Sequence, residues 1–170
     1  MIRPARFGAN PETAESNRFQ QGGMDADAPE AARREFDGLV EHLRDAGVAV
    51  EVAEDTPEPA KPDACFPNNW ISFHDDGSVV LYPMMAPSRR AERRAEPVAQ
   101  LRDAGFHVAR TIDLSPWEAR GEFLEGTGSL VLDHCHRIAY ACRSPRTTAL
   151  ALADFAGRLG YRAVAFDALG

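Results

Sequence analysis

From Pro29 onward, apolar residues recur at spacings of three and four, at Ala32, Phe36, Leu39, Val40 and Leu43, and the pattern stops at Gly47. It predicts an amphipathic helix. Val48, Val50 and Val52 then alternate with polar residues and predict a strand. Ahead of the helix, Met1 to Gln21 reads as a short strand followed by a polar loop, and Met24 to Glu30 as a small, acidic connection.

Beyond residue 62 the pattern repeats. Trp70 to His74 predicts a strand, Asp75-Asp76-Gly77 a hairpin turn, Ser78 to Tyr82 the return strand, Ser88 to Gly105 a helix, and Phe106 to Thr111 a further strand. The same order follows in Ser129 to Asp133, a turn at His134 to His136, Arg137 to Cys142, a helix from Ser144 to Gly160 and a strand from Tyr161 to Phe166. Ser88 and Ser144 are candidate N-caps, with Pro145 at the first helical position. The helix-ending glycines 47, 105 and 160 recur roughly every 55 to 60 residues, a period that suggests a circular array of ββαβ units, the alternative being an ordinary α+β domain whose helix lengths happen to agree. The fold class this predicts is α/β: one domain over 1–170, with units near 1–62, 63–122 and 123–170, forming an incomplete ring of about three units. An open ring has exposed sheet edges, through which a homo-oligomer would form.

Two segments sit at equivalent places ahead of the first strand of a unit. One is Asp63-Ala64-Cys65-Phe66-Pro67-Asn68-Asn69-Trp70; the other is Phe123-Leu124-Glu125-Gly126-Thr127-Gly128. Pro67 cannot donate a backbone hydrogen bond and biases Phe66 toward an extended conformation, so the first segment reads as a fixed, non-helical approach to a strand. A turn with Asp63 as a cap is the alternative reading. The glycines after Glu125 permit close backbone approach and predict an uncrowded carboxylate within reach of Asn69, against the alternative of a surface turn. Ser88-Arg89-Arg90 and Ser144-Pro145-Arg146 place an arginine in the first turn of each predicted helix, where it opposes the helix dipole. Two arginine forks on one cavity suit an amino acid carboxylate; one functional and one solvated arginine is the other reading.

Composition narrows the partners. Hydrophobic residues make up 44% of the 170, and mean hydropathy is -0.35, as in ordinary globular chains. A formal net charge of -7 disfavours nucleic acid, although Arg89, Arg90, Arg93 and Arg94 cluster locally. No apolar run is long enough for a bilayer and no signal sequence follows Arg3 and Arg6, so the expected location is cytoplasmic with no membrane partner. Cys65, Cys135 and Cys142 are odd in number and read as free thiols. His134-Cys135-His136 with Cys142 fits no zinc spacing, so no metal or other cofactor is expected.

Taken together, Asp63 to Asn69, Ala86-Pro87-Ser88-Arg89-Arg90, Leu124-Glu125-Gly126 and Ser144-Pro145-Arg146-Thr147 resemble, in order and spacing, the guanidine-modifying enzymes of the pentein superfamily. That superfamily includes arginine deiminases, dimethylarginine dimethylaminohydrolases and amidinotransferases. The nearest resemblance is to the citrulline-utilisation hydrolases, through Arg3-Pro4, Thr13-Ala14, Asn17-Arg18-Phe19-Gln20 and Phe66 to Trp70. It implies a pentein-type α/β propeller, of which this chain is the N-terminal part. It also implies that Glu125 orients a catalytic histidine, that Asn69, with Asn68 and Asp63, meets the substrate's guanidinium or ureido end, and that Arg89 and Arg146 hold its carboxylate. The implied chemistry is attack by a cysteine thiolate on the central carbon of that group. Two departures stand out. Asn69 replaces a carboxylate, which favours the neutral ureido group of citrulline. The implied histidine and cysteine are absent from residues 1–170, so the expectation is a hydrolase of citrulline to ornithine, ammonia and CO2 that is inactive alone. A dimethylargininase- or deiminase-like hydrolase, an amidinotransferase and a non-catalytic truncated module are the alternatives.

Overall fold

The structure, a computed structural model, describes residues 1–14 and 27–168. The Asn17 to Gln20 part of the resemblance and Met24 to Ala26 of the expected link lie outside the described residues, while Ala28 to Glu30, read as part of that link, open the first helix. In chain order the elements are β1 (Ile2–Arg3), α1 (Ala28–Asp45), β2 (Ala53–Glu54), β3 (Ile71–Phe73), β4 (Ser78–Leu81), α2 (Pro87–Arg90), α3 (Glu96–Asp103), β5 (Arg110–Asp113), α4 (Gly126–Ser129), β6 (Leu130–Asp133), β7 (Ile138–Cys142), α5 (Ala149–Leu159) and β8 (Arg162–Phe166). They fall into two compact units, Met1–Pro67 with Ala86–Phe106, and Asn68–Met85 with His107–Gly170.

In the first unit β1 and β2 pair in parallel, Ile2 opposite Ala53. Of the predicted apolar stripe of α1, Phe36 and Val40 are buried, each such burial stabilising by roughly 2 kcal/mol, whereas Leu39 is exposed. Arg3 ties the strand to the helix through two 2.7 Å bonds to Asp37. Gln100 of α3 donates to the Val52 carbonyl at 2.8 Å.

The second unit contains the two copies of one topology that the sequence repeat predicts. In each, an antiparallel hairpin is joined by a parallel third strand, giving sheets β3-β4-β5 and β6-β7-β8. Ser78 pairs with Arg110 in one, and Ile138 with Arg162 in the other. The core gathers Val80, Tyr82, Leu114, Leu124, Phe155 and Tyr161. α5 supplies the apolar face, and Gly160 ends it at φ 69, a left-handed conformation that glycine adopts without strain.

Several boundaries depart from the pattern. The helix expected over Ser88 to Gly105 is two helices, because Pro97 cannot sit inside one. Its missing N–H and ring are tolerated in a first turn, and there α3 begins. The last helix starts at Ala149 rather than Ser144, since Thr147 folds back on Ser144 (3.0 Å) and bridges to Leu124. Arg146 is therefore not in a helical first turn, and the dipole argument does not apply to it. Val48 to Val52 and Phe106 to Ala109 are not strands. Both Val48 and Phe106 are exposed, so alternation there has no core to bury.

Candidate active site

Within the first unit the residues from Lys61 make consecutive turns, with the Ala64 amide donating to the Lys61 carbonyl (3.1 Å) and that of Phe66 to the Asp63 carbonyl (2.9 Å). This holds Asp63 in a half-buried position where its Oδ2 accepts from Asn10 Nδ2 at 2.7 Å. Arg89 of α2 comes to the same carboxylate, Nε to Oδ2 at 3.8 Å. Arg89 is only 4% exposed. Its Nε and Nη2 each donate to Glu92 at 3.0 Å, and Nη2 also donates to the Phe66 carbonyl at 3.0 Å. The fork expected to grip a substrate carboxylate thus spends these donors inside the chain. Burial pushes the Glu92 carboxyl up to about 7, against the pull of Arg89, with Asp63 and Asp55 adding repulsion. Burial likewise pushes the Cys65 thiol up to about 11, so it is protonated at neutral pH, as suits a packing residue.

Within the second unit, Asn68, Asn69, Glu125 and Arg146 are brought together. The chain passes through a 3-10 turn at Pro67–Asn69, tighter than the extended approach expected from Pro67. Asn68 Nδ2 donates to Thr127 Oγ1 at 2.5 Å. Gly126 has φ +35, and a Cβ there would lie 2.2 Å from the Asn68 carbonyl oxygen; one on Gly128 would lie 2.4 Å from Asn69 Nδ2. At 126, where the obstacle is backbone and φ is positive, only glycine permits this approach of the Glu125 segment; at 128 a side chain would require the Asn69 amide to shift.

Glu125 is 1% exposed, which excludes the surface-turn reading. Its Oε1 accepts from the Met85 amide at 3.1 Å, and Oε2 lies 3.4 Å from Arg146 Nη1. The carboxylate is anchored rather than uncrowded. Ser129 and Thr147, which the sequence reading passed over, complete the frame. Ser129 Oγ accepts from the Glu125 amide (2.9 Å) and from Thr147 Oγ1 (2.8 Å), and donates to the Arg146 carbonyl (2.8 Å). Glu92 was also passed over, although its place three residues after Arg89 is the spacing of a helical ion pair.

A groove of about 420 Å³ in this unit runs past Gly126 and Thr127 to Ser72, Tyr82, His74 and His134. Burial, then His134, lowers the His74 pKa, so that imidazole is neutral at pH 7. His134 Nδ1 pairs with Tyr161 Oη at 2.8 Å. Among the described residues no three His, Cys, Asp or Glu side chains are grouped to hold a metal, and no helix is long and apolar enough to cross a membrane.

A protein-family model described as N,N dimethylarginine dimethylhydrolase, eukaryotic, matches residues 3–170. The chain belongs to this family. Membership places it in the pentein superfamily, with the α/β fold expected from the repeat. No curated protein matches the sequence. Among solved structures, the N-terminal domain of ArgZ bound to substrate, an arginine dihydrolase of the cyanobacterial ornithine-ammonia cycle, superimposes with a TM-score of 0.66 at 20% identity, over 100% of this chain and 57% of that one. A dimethylarginine dimethylaminohydrolase adduct with S-methyl-L-thiocitrulline gives 0.68 at 15% identity, over 99% and 59%. AgrE in a ternary complex with ornithine and NAD+ gives 0.64 at 20%, over 100% and 23%. These identities show a shared fold, and the chain spans less than two thirds of each of the three.

Proposed function

We propose that the chain provides substrate-binding walls of a hydrolase acting on a non-peptide C–N bond of an arginine-derived amino acid, with L-citrulline as the preferred ligand. The observation that carries this reading is the juxtaposition of Asn69 with a buried, anchored Glu125 across two glycines. A neutral carboxamide offers both a donor and an acceptor, matching a ureido group, whereas a guanidinium favours a carboxylate. Asn68 supplies a further partner for the same end of the ligand, and Arg146, 3.4 Å from Glu125, supplies charge for its carboxylate; Asp63, in the first unit, is a separate candidate partner for an N–H donor of the ligand. Arg89 would act through the Phe66 carbonyl and Asp63 that it holds. Glu125 would orient an imidazole base for attack by a thiolate on the ureido carbon. The ureido NH2 would leave as ammonia, giving a thiocarbamate in which the carbon still carries the ornithine nitrogen; water would then cleave the C–S bond and regenerate the thiol, and the N-carboxy product would lose CO2 to give ornithine.

In this reading none of Cys65, whose thiol is held protonated, Cys135, in an exposed turn, and Cys142, on β7, supplies the attacking thiolate, and the chain alone binds without turnover. Calorimetric titration with L-citrulline, L-arginine and dimethylarginine, with ammonia and ornithine measured in parallel, tests the reading. Citrulline binding tighter than arginine, reversed in Asn69→Asp, is the expected result; no binding of any of the three would overturn it. The family match favours a second reading, in which the ligand is dimethylarginine and Asp63 meets its cationic end. Tighter binding of dimethylarginine than of citrulline selects that one.

A further inference from the structure

The N-terminal loop of the first unit does more than cover it. Asn10 is 1% exposed, and its amide is aimed at two other parts of that unit. Nδ2 donates to Asp63 Oδ2 at 2.7 Å and to Ser88 Oγ at 3.1 Å, while Oδ1 accepts from the Glu12 amide at 3.1 Å. The Asn10 carbonyl accepts from both the amide (3.1 Å) and the hydroxyl (3.2 Å) of Thr13, so the backbone is fixed as well. Glu12 Oε2 in turn accepts the Ser88 amide at 2.8 Å, and its carboxyl is held below its ordinary pKa by those Ser88 hydrogen bonds. An asparagine is the residue this position requires: its oxygen closes an Asx turn while its nitrogen still has two protons to give.

For Asp63 the consequence is asymmetric. Oδ2 is pinned by Asn10 on one side and faces Arg89 at 3.8 Å on the other. Among the described residues no donor meets Oδ1. We propose that Asn10 is a positioning residue that fixes the Asp63 carboxylate with Oδ2 committed to the chain and Oδ1 presented to an N–H donor of the amino acid ligand. This rests on the reading of Asp63 as a substrate-binding residue. It adds a residue that does not touch the ligand but sets the direction of the oxygen that does.

The test combines two measurements on the 170-residue chain. Asn10→Asp keeps the oxygen that closes the Asx turn, so the loop folds, but replaces the donor to Asp63 with an acceptor; Asn10→Ala removes both. In the wild type, scalar couplings report one χ1 rotamer for Asp63, and in Asn10→Asp they report averaging over rotamers. L-Citrulline affinity falls about tenfold in Asn10→Asp, on the order of one hydrogen bond to a charged group, and less than twofold when the same change is made in Asp63→Ala. A merely structural role would weaken binding by the same factor in both backgrounds, and that result, or an unaveraged Asp63 rotamer in Asn10→Asp, overturns the proposal. If the wild-type chain binds neither L-citrulline nor L-arginine, the functional reading fails, and the couplings alone then decide whether Asn10 positions Asp63.

Discussion

Glu92 gives the sharpest prediction of the first unit. An unfolded glutamate titrates near its ordinary value of 4.5, whereas burial pushes the folded Glu92 up to about 7. Between those values the folded state holds a proton that the unfolded state has released. The unfolding free energy therefore falls as pH rises from 4.5 toward 7, and stays lowered above it. The separation corresponds to about 3 kcal/mol, at 1.36 kcal/mol per unit. Glu92→Gln is neutral throughout and removes this slope, at the cost of one of the two hydrogen bonds to Arg89, about 1–3 kcal/mol. The variant is thus less stable than wild type at pH 5, and the gap closes or reverses by pH 8. Urea titrations at pH 5 to 8, followed by circular dichroism to which the 18-residue α1 contributes, measure it. Other titrating groups, His74 among them, are common to both proteins and cancel in the difference. Stability curves that run parallel across this range would refute the assignment of a buried, near-neutral carboxyl to Glu92.

Three further outcomes follow from the same geometry. Gly126→Ala drives a Cβ to 2.2 Å from a backbone carbonyl at φ +35 and should cost about 2–4 kcal/mol in thermal or urea unfolding, whereas Gly128→Ala meets only the movable Asn69 amide and should cost under about 1 kcal/mol while weakening citrulline about tenfold; equal stability losses would contradict this. Lys61 is 1% exposed, 3.2 Å from Asp55 and bonded to the carbonyls of Thr56 and Pro59, so Lys61→Met, which strands the buried Asp55, should destabilise by about 3–5 kcal/mol, and a neutral effect by denaturant titration would show that Asp55 finds water instead. At pH 8, iodoacetamide should modify the exposed Cys135 at least about tenfold faster than Cys65, whose thiol is pushed up to about 11; comparable rates by peptide mapping would show that Cys65 is not held protonated.

The repeat of hairpin, helix and parallel strand was legible because each step has a local cause: Gly77 at a turn, the Ala-Leu-Phe face of α5, Gly160 after its last turn. The glycines flanking Thr127 were likewise readable as a close approach, since little else explains two glycines beside a buried glutamate. Helix starts were not legible, because Ser144-Pro145 is an N-terminal signal that Thr147 overrides by bridging to Leu124, a residue more than twenty positions earlier. The order of elements, their amphipathic faces and the types of polar residue available were thus determined by the sequence alone, through spacings within a few residues. Which polar groups are tied to the chain, and by what partner, was decided only by the tertiary structure. Arg89 turning to Glu92 and Phe66, Glu125 anchored by Met85 and Arg146, and Asp63 clasped by Asn10 each depend on a partner whose distance in space bears no fixed relation to its distance along the chain. A buried polar group must find such a partner wherever the fold supplies one.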